Sequence, residues 1–224
     1  MSFDLALRLV EIGLALALIQ RAAEHLRLDK LLFALQGAVA LVLLTGIARG
    51  EAIWMLWALG LWQLARFQGP YNGGADKMAL LCATCLGVAH LNIHGTAAEL
   101  ALAYLAVQLV LSYAVSGWVK LRNPAWRSGT ALADVFALSA YPVAENLRGL
   151  ARYPRLLTGA SWGVIGLELA FPFALLHPVA LMIALGAVAV FHLANAMLFG
   201  LNRFFWIWIS TFPALIWFQG RIGF

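Results

Sequence analysis

The sequence predicts an all-α fold, a polytopic integral membrane helix bundle of about eight transmembrane helices with an interfacial or re-entrant segment near 130–147. Two observations lead there. Of the 224 residues, 63% are hydrophobic and 11% are Asp, Glu, Lys or Arg. A soluble domain carries about 45–50% apolar and about 25% charged residues. The apolar residues also fall into runs bounded by charge, Gly or Pro, many of them near the ~20 residues that a spanning helix needs. The connections are short, so the expected organisation is one transmembrane domain over 1–224 with no soluble domain, and the partner implied is the lipid bilayer. A secreted disulfide scaffold, a nucleotide-binding α/β enzyme and a nucleic-acid binder are excluded. The net charge of +5 is scattered over the connections, which reads as topology control.

In order, the helices are expected at 3–20, 31–48, 52–68, 77–94, 97–120, 156–176, 179–200 and 202–218. The first is interrupted by Arg8 and Glu11 and lacks a basic leader ahead of a cleavage site, so it is expected to be retained. The third ends at Gly69-Pro70-Tyr71-Asn72-Gly73-Gly74, which cannot continue a helix. The fifth stops at Lys120, ahead of Asn123-Pro124. Between it and the sixth lies the long connection 121–155. Its middle is apolar but holds Asp134, Tyr141, Pro142 and Glu145. With the N-terminus outside, most Lys and Arg fall in inside connections, including Arg122, Arg127, Arg148, Arg152 and Arg155. A spanning 130–147 would move the last three outside, so the positive-inside rule favours a segment that does not cross.

A charge near the bilayer centre costs at least about 2.5–3.5 kcal/mol, so ionisable residues inside helices are the functional candidates. Glu11 lies in a weakly apolar helix, where a structural role is expected. Glu168 is better placed. Pro172 cannot donate to its carbonyl, and the side chain reads either as a helix–helix hydrogen bond or as a functional acid. His192 sits mid-helix with Asn195 three residues on; a buried imidazole is a competent acid or base, and a helix–helix bond is the alternative. His90 and His94 have a spacing suited to shared metal ligation, but no acid lies between them. Cys82-Ala83-Thr84-Cys85 has CxxC spacing without a second pair for a thiol relay, so small residues at a helix contact are expected there. Lys120 ends a long apolar helix. Held against apolar surface, a neutral lysine is a usable general base; the alternative is a lysine snorkelling to the headgroups.

Tyr113-x-x-x-Gly117-x-x-Lys120-Leu121-x-x-x-x-Trp126-x-x-Gly129 resembles the stretch around the catalytic lysine of vitamin K-dependent gamma-carboxylase and its bacterial relatives, the HTTM (horizontally transferred transmembrane) domain proteins. Glu168-Leu169-Ala170-Phe171-Pro172 and Phe191-His192-Leu193-Ala194-Asn195-x-Met197-Leu198-Phe199 are similar to two further blocks, in the same order. Asn72-Gly73-Gly74-Ala75-Asp76-Lys77-Met78 sits where that family has an Asn-rich turn opening a helix. The resemblance implies Lys120 as the base that deprotonates a reduced quinone, with oxygen and carbon dioxide as co-substrates and His192 assisting. It implies Asp76, Lys77, Tyr113, Trp118, Trp126, Glu168 and Asn195 as cofactor-binding residues, no metal ligand, and a bacterial inner (cytoplasmic) membrane. Two departures stand out. Gly73-Gly74-Ala75 occupy the turn where the carboxylase has an active-site histidine, and no soluble part follows the last helix, which implies a partner protein or larger membrane complex.

Three functions follow as expectations. The first is a quinol-dependent carboxylase- or oxygenase-like lyase. The second is a non-catalytic accessory or assembly subunit, and the third a metal-dependent membrane oxidase using His90, His94 and His192.

Overall fold

The computed structural model describes residues 1–66, 73–91, 94–138 and 142–223. Asn72 and Tyr141 lie outside the described residues, as does the side chain of His94. In chain order the helices are α1 (Phe3–His25), α2 (Lys30–Thr45), α3 (Arg49–Arg66), α4 (Gly74–Ala89), α5 (His94–Arg122), α6 (Pro124–Arg127), α7 (Thr130–Leu138), α8 (Pro154–Ala170), α9 (Pro178–Phe199) and α10 (Asn202–Ile222). Two 3-10 helices, Pro142–Arg152 and Phe171–Leu176, flank α8. Among the described residues there is no strand.

The chain groups into two compact units. The first comprises Met1–Val107 and Trp206–Gly223, the second Gln108–Phe205; the division falls within α5 and α10.

In the first unit α1 to α4 pack in chain order, and α1 also meets α4. Asp29 caps α2 by accepting from the Leu32 amide at 3.0 Å. Helix α1 runs five residues past the predicted end at position 20. Charge was read there as a boundary, but Arg21 and His25 are buried and turn inward. The fourth predicted helix is corrected at its far end. Helix α4 stops at Ala89 with His90 as its C-cap, and His94 opens α5. The two histidines therefore do not share one helix face.

In the second unit Asn123 caps α6 through the Ala125 amide at 2.9 Å, with Pro124 in the first helical turn. Gly129 then turns the chain with φ 79°, and a Cβ there would stand 2.7 Å from the Thr158 amide nitrogen. Only glycine meets both demands. Helix α7 has nine residues, less than half of what a crossing requires. Its Phe136 packs with Leu157 and Phe199 in a buried cluster, and Leu147 and Leu150 of the first 3-10 helix close over that cluster. Helix α8 gives way to 3-10 geometry at Phe171, where Pro172 removes an amide donor.

Three stretches among the described residues are long and apolar enough to cross a bilayer: Gly95–Arg122, Pro154–Leu176 and Pro178–Phe199. Helix α9 shows why. Leu181, Leu185, Val188 and Phe199 are buried, while Val179, Met182, Ile183, Val190 and Met197 are exposed. A helix this apolar on both its inner and outer stripes is solvated by lipid, not by water. The remaining long helices fall short by composition or length. α1 carries Asp4, Arg8, Glu11 and Arg21, and α2 and α4 have 16 residues each. The chain is thus an all-helical membrane protein.

Candidate functional site

One face of α5 carries the reactive side chains of the second unit. Tyr113, Ser116, Gly117 and Lys120 follow at the three- and four-residue spacing that stacks positions on one side of a helix. Helix α8 lies against that face because position 117 has no side chain. A Cβ there would meet Leu169 Cγ at 2.9 Å, and both Glu168 Cβ and the Leu169 amide nitrogen at 3.0 Å.

The close approach brings Lys120 to Glu168. The lysine Nζ donates to both carboxylate oxygens at 2.7 Å and to Ser116 Oγ at 2.5 Å. Ser116 in turn donates to Glu168 Oε1 at 3.1 Å. All three ammonium hydrogens therefore have an acceptor. The Glu168 side chain is 4% exposed and that of Lys120 15%. The Trp126 ring stands with its centroid 5.2 Å from Nζ, within cation–π range. Lys120 lies in the last turn of its helix but turns inward to Glu168 and does not snorkel. At 1.5 Å per residue Glu168 lies about 21 Å along α8 from Pro154, past the middle of the apolar stretch Pro154–Leu176.

Two turns back along α5, the Tyr113 hydroxyl and His192 Nε2 are 2.8 Å apart, and both residues are buried. The Phe171 ring packs on Tyr113 with centroids 4.3 Å apart. The structure thus brings together Lys120, Glu168 and Trp126, and separately Tyr113 with His192. Ser116 belongs to the first group and was missed; its place between Tyr113 and Lys120 at helical spacing was the available signal. Trp118 is exposed, and Arg122 lies over its ring at 6.0 Å. Asn195 is half-buried on α9, where its carbonyl accepts from the Leu201 amide at 3.3 Å.

Asp76 and Lys77 belong to the first unit. Asp76 is buried and accepts from Arg21 Nη1 at 2.9 Å and Gln63 Nε2 at 3.2 Å. Arg21 also donates to Gln36 at 3.0 Å, so each of α1 to α4 contributes one polar residue to a single buried network. Lys77 is exposed.

Near the other end of α1, Glu11 is fully buried. Arg49 donates to its two oxygens at 2.7 Å each, Arg8 reaches it at 3.1 Å, and His90 Nε2 lies 2.7 Å from Oε1. His90, a metal-ligand candidate by spacing, bonds a carboxylate instead, and His192 bonds a tyrosine. Among the described residues no group of three or more His, Cys, Asp or Glu is arranged to hold a metal ion. Cys82 and Cys85 are buried free thiols.

The chemistry of these three ionic sites differs. Arginine is a permanent cation, and its pairs with carboxylates move no proton. Lysine, histidine, tyrosine and glutamate each give and take protons; four of these meet on the α5 face, while in the first unit the titrating pair is Glu11 with His90 at 2.7 Å. A family model for the HTTM domain matches residues 92–219, more than half of the chain and the whole of this face. Comparison with curated proteins and with solved structures yields no match.

Proposed function

Because the chain belongs to the HTTM domain family, we propose that it is a membrane-embedded enzyme that removes a proton from a lipid-soluble aromatic hydroxyl of the reduced-quinone class, with Lys120 as base. One observation carries this reading. A lysine and a glutamate are joined at 2.7 Å through both carboxylate oxygens, with the glutamate inside an apolar span where an uncompensated charge costs several kcal/mol.

The donor set fits a hydroxyl ligand. Lys120, Ser116 and Glu168 present both donors and acceptors at one point, and Trp126 supplies an aromatic wall beside it. For the amine to receive a proton, one of its three must first pass to Glu168, which lies within direct transfer distance. Tyr113 and His192 form a second proton-exchanging pair for the assisting role. A reduced quinone bound there supplies the acidic hydroxyl and, on oxidation, two electrons; oxygen and carbon dioxide as co-substrates rest on the family resemblance alone.

The same reading takes α1 to α4 and α10 as completing a bundle of about eight spans. Support comes from the burial of their charges in Arg–carboxylate networks, which lowers the cost of placing them in lipid. The resemblance to bacterial relatives supports a bacterial cytoplasmic membrane.

The test is the purified protein in liposomes with vitamin K hydroquinone, oxygen and bicarbonate, read as quinone epoxide formed. Wild type is expected to turn over, and Lys120→Ala to lose about 100- to 10,000-fold. An inert wild type, or a variant as active as wild type, overturns the proposal. The completeness of the Lys120 hydrogen bonding also favours a second reading, in which the pair is a tie within an accessory subunit of a larger complex. In that case Lys120→Ala leaves any co-purifying complex intact and no hydroquinone is consumed.

A further inference from the structure

The second unit ends in a basic cap that the proton-transfer chemistry does not use. Arg122 closes α5, Arg127 closes α6, Arg148 and Arg152 lie on the 3-10 helix Pro142–Arg152, and Arg155 is in the first turn of α8. All are exposed. They sit at one end because that end is tied together. Thr158 Oγ1 donates to the Ser128 carbonyl at 2.8 Å, Ser161 Oγ to that of Trp126 at 2.5 Å, and Trp162 Nε1 to that of Arg127 at 3.1 Å.

The 3-10 helix is strongly two-faced. Leu147, Leu150 and Ala151 pack on the Phe136–Leu157–Phe199 cluster, so Asn146, Arg148 and Arg152 are turned outward and exposed. Within this cap the exposed acids are Asp134 and Glu145. Arg148 meets Glu145 at 3.9 Å and donates to the Ala137 carbonyl at 3.5 Å. Positive charge is in excess over its local counter-charges.

What covers a basic surface depends on what adjoins it. Here Trp118, Tyr153 and Trp162 are exposed among the arginines, at 54%, 60% and 46%, and Leu156 and Val119 are exposed beside them. A membrane–water boundary accommodates arginines, aromatic rings and aliphatic side chains together. A soluble acidic partner would satisfy the arginines and leave the exposed rings and aliphatic side chains uncovered.

We infer that this end of the second unit binds the headgroups of anionic phospholipids, with the guanidinium groups of Arg148, Arg152 and Arg155 donating to phosphate oxygens. The planar guanidinium suits a phosphate bidentately. A basic residue at an anionic surface contributes about a fivefold factor in affinity, so three contribute about 100-fold.

The experiment measures retention of short-chain phosphatidylglycerol and phosphatidylcholine on the detergent-purified full chain, by native mass spectrometry. It compares wild type with the triple variant Arg148→Gln/Arg152→Gln/Arg155→Gln. Wild type is expected to prefer phosphatidylglycerol by at least tenfold, and the triple variant to lose that preference while melting at the same temperature in phosphatidylcholine. Equal retention of the two lipids by wild type overturns the proposal, as does a preference undiminished in the triple variant. Binding of poly-glutamate at physiological salt in place of phosphatidylglycerol overturns it in favour of a soluble acidic partner. If the triple variant melts lower, single Arg152→Gln and Arg155→Gln variants are read in the same way, each with an expected loss of about fivefold.

Discussion

The buried carboxylates of the first unit and that of the second are built for opposite tasks. Glu11 and Asp76 are held by arginines, Glu11 by two of them and by His90 as well. Glu168 is held by a single lysine and a serine. An arginine–carboxylate pair has nowhere to send a proton, so the first unit spends its buried charge on joining four helices. The lysine–glutamate pair is a proton donor and acceptor in contact, two helix turns from a tyrosine that bonds a histidine. Burial and pairing alone therefore do not set Lys120–Glu168 apart. What does is a cation that can itself give up a proton, which the arginines at Glu11 and Asp76 cannot, although the Glu11–His90 contact at 2.7 Å is a titrating pair of the first unit.

The sharpest way to break this contrast is to remove a carboxylate from each unit and compare the losses. Asp76→Ala removes the carboxylate that faces Arg21, whose side chain is 6% exposed, and is expected to cost about 3–5 kcal/mol in a reversible unfolding titration in micelles. Glu11→Ala should cost less, because Arg8 and Arg49 are 26% and 33% exposed and the released guanidinium groups can turn to water. An equal loss at both sites would mean that exposure does not set the cost.

Next in size is the lysine pair. Lys120→Met leaves Glu168 buried without its cation and is expected to destabilise by about 3 kcal/mol, whereas Lys120→Met/Glu168→Leu should return to within about 1 kcal/mol of wild type. The double variant then separates stability from chemistry, since it keeps the fold and must lose hydroquinone oxidation. Retained turnover in the double variant would remove the pair from the mechanism.

Helix placement was readable from the sequence because Gly, Pro and charge punctuate it. The Asn123-Pro124 break and the Phe171-Pro172 transition each follow from a missing donor or a forced dihedral. The charge rule failed where charges are internal. Arg21 looked like a helix end and instead faces Asp76, 55 positions away. The pairing of Lys120 with Glu168 spans 48 positions and was hidden for the same reason, although both residues were singled out separately. Periodicity reports which residues share a helix face, but not which face meets which. Gly117 was the nearest thing to a signal, since a glycine at helical spacing between two reactive side chains marks a place where another backbone comes close.

That signal can be tested in both units at about 1–3 kcal/mol, the cost of overpacking. Gly13→Ala puts its Cβ 2.6 Å from Ser210 Cβ and 2.7 Å from Ser210 Cα, while Gly117→Ala meets Leu169 Cγ at 2.9 Å. Both should lower the melting temperature, Gly13→Ala more. Only Gly117→Ala should also reduce turnover, because the displaced neighbour carries Glu168. Equal turnover losses would show that activity follows global stability and not the spacing of α5 and α8.

The smallest expected effect is the most discriminating. Tyr113→Phe removes one hydroxyl and, with it, the 2.8 Å contact to His192 Nε2, while the ring keeps its packing on Phe171 at 4.3 Å. A single buried hydrogen bond contributes about 1 kcal/mol, so the unfolding midpoint should move slightly. If Tyr113 and His192 are only a helix tie, turnover changes by no more than that small loss of stability explains. If the pair exchanges protons during the reaction, turnover falls at least tenfold in a protein that is still almost fully folded. His192→Asn, which keeps a polar group near the hydroxyl but has no titrating ring, should then behave like Tyr113→Phe, and the two changes together should cost little more than either one.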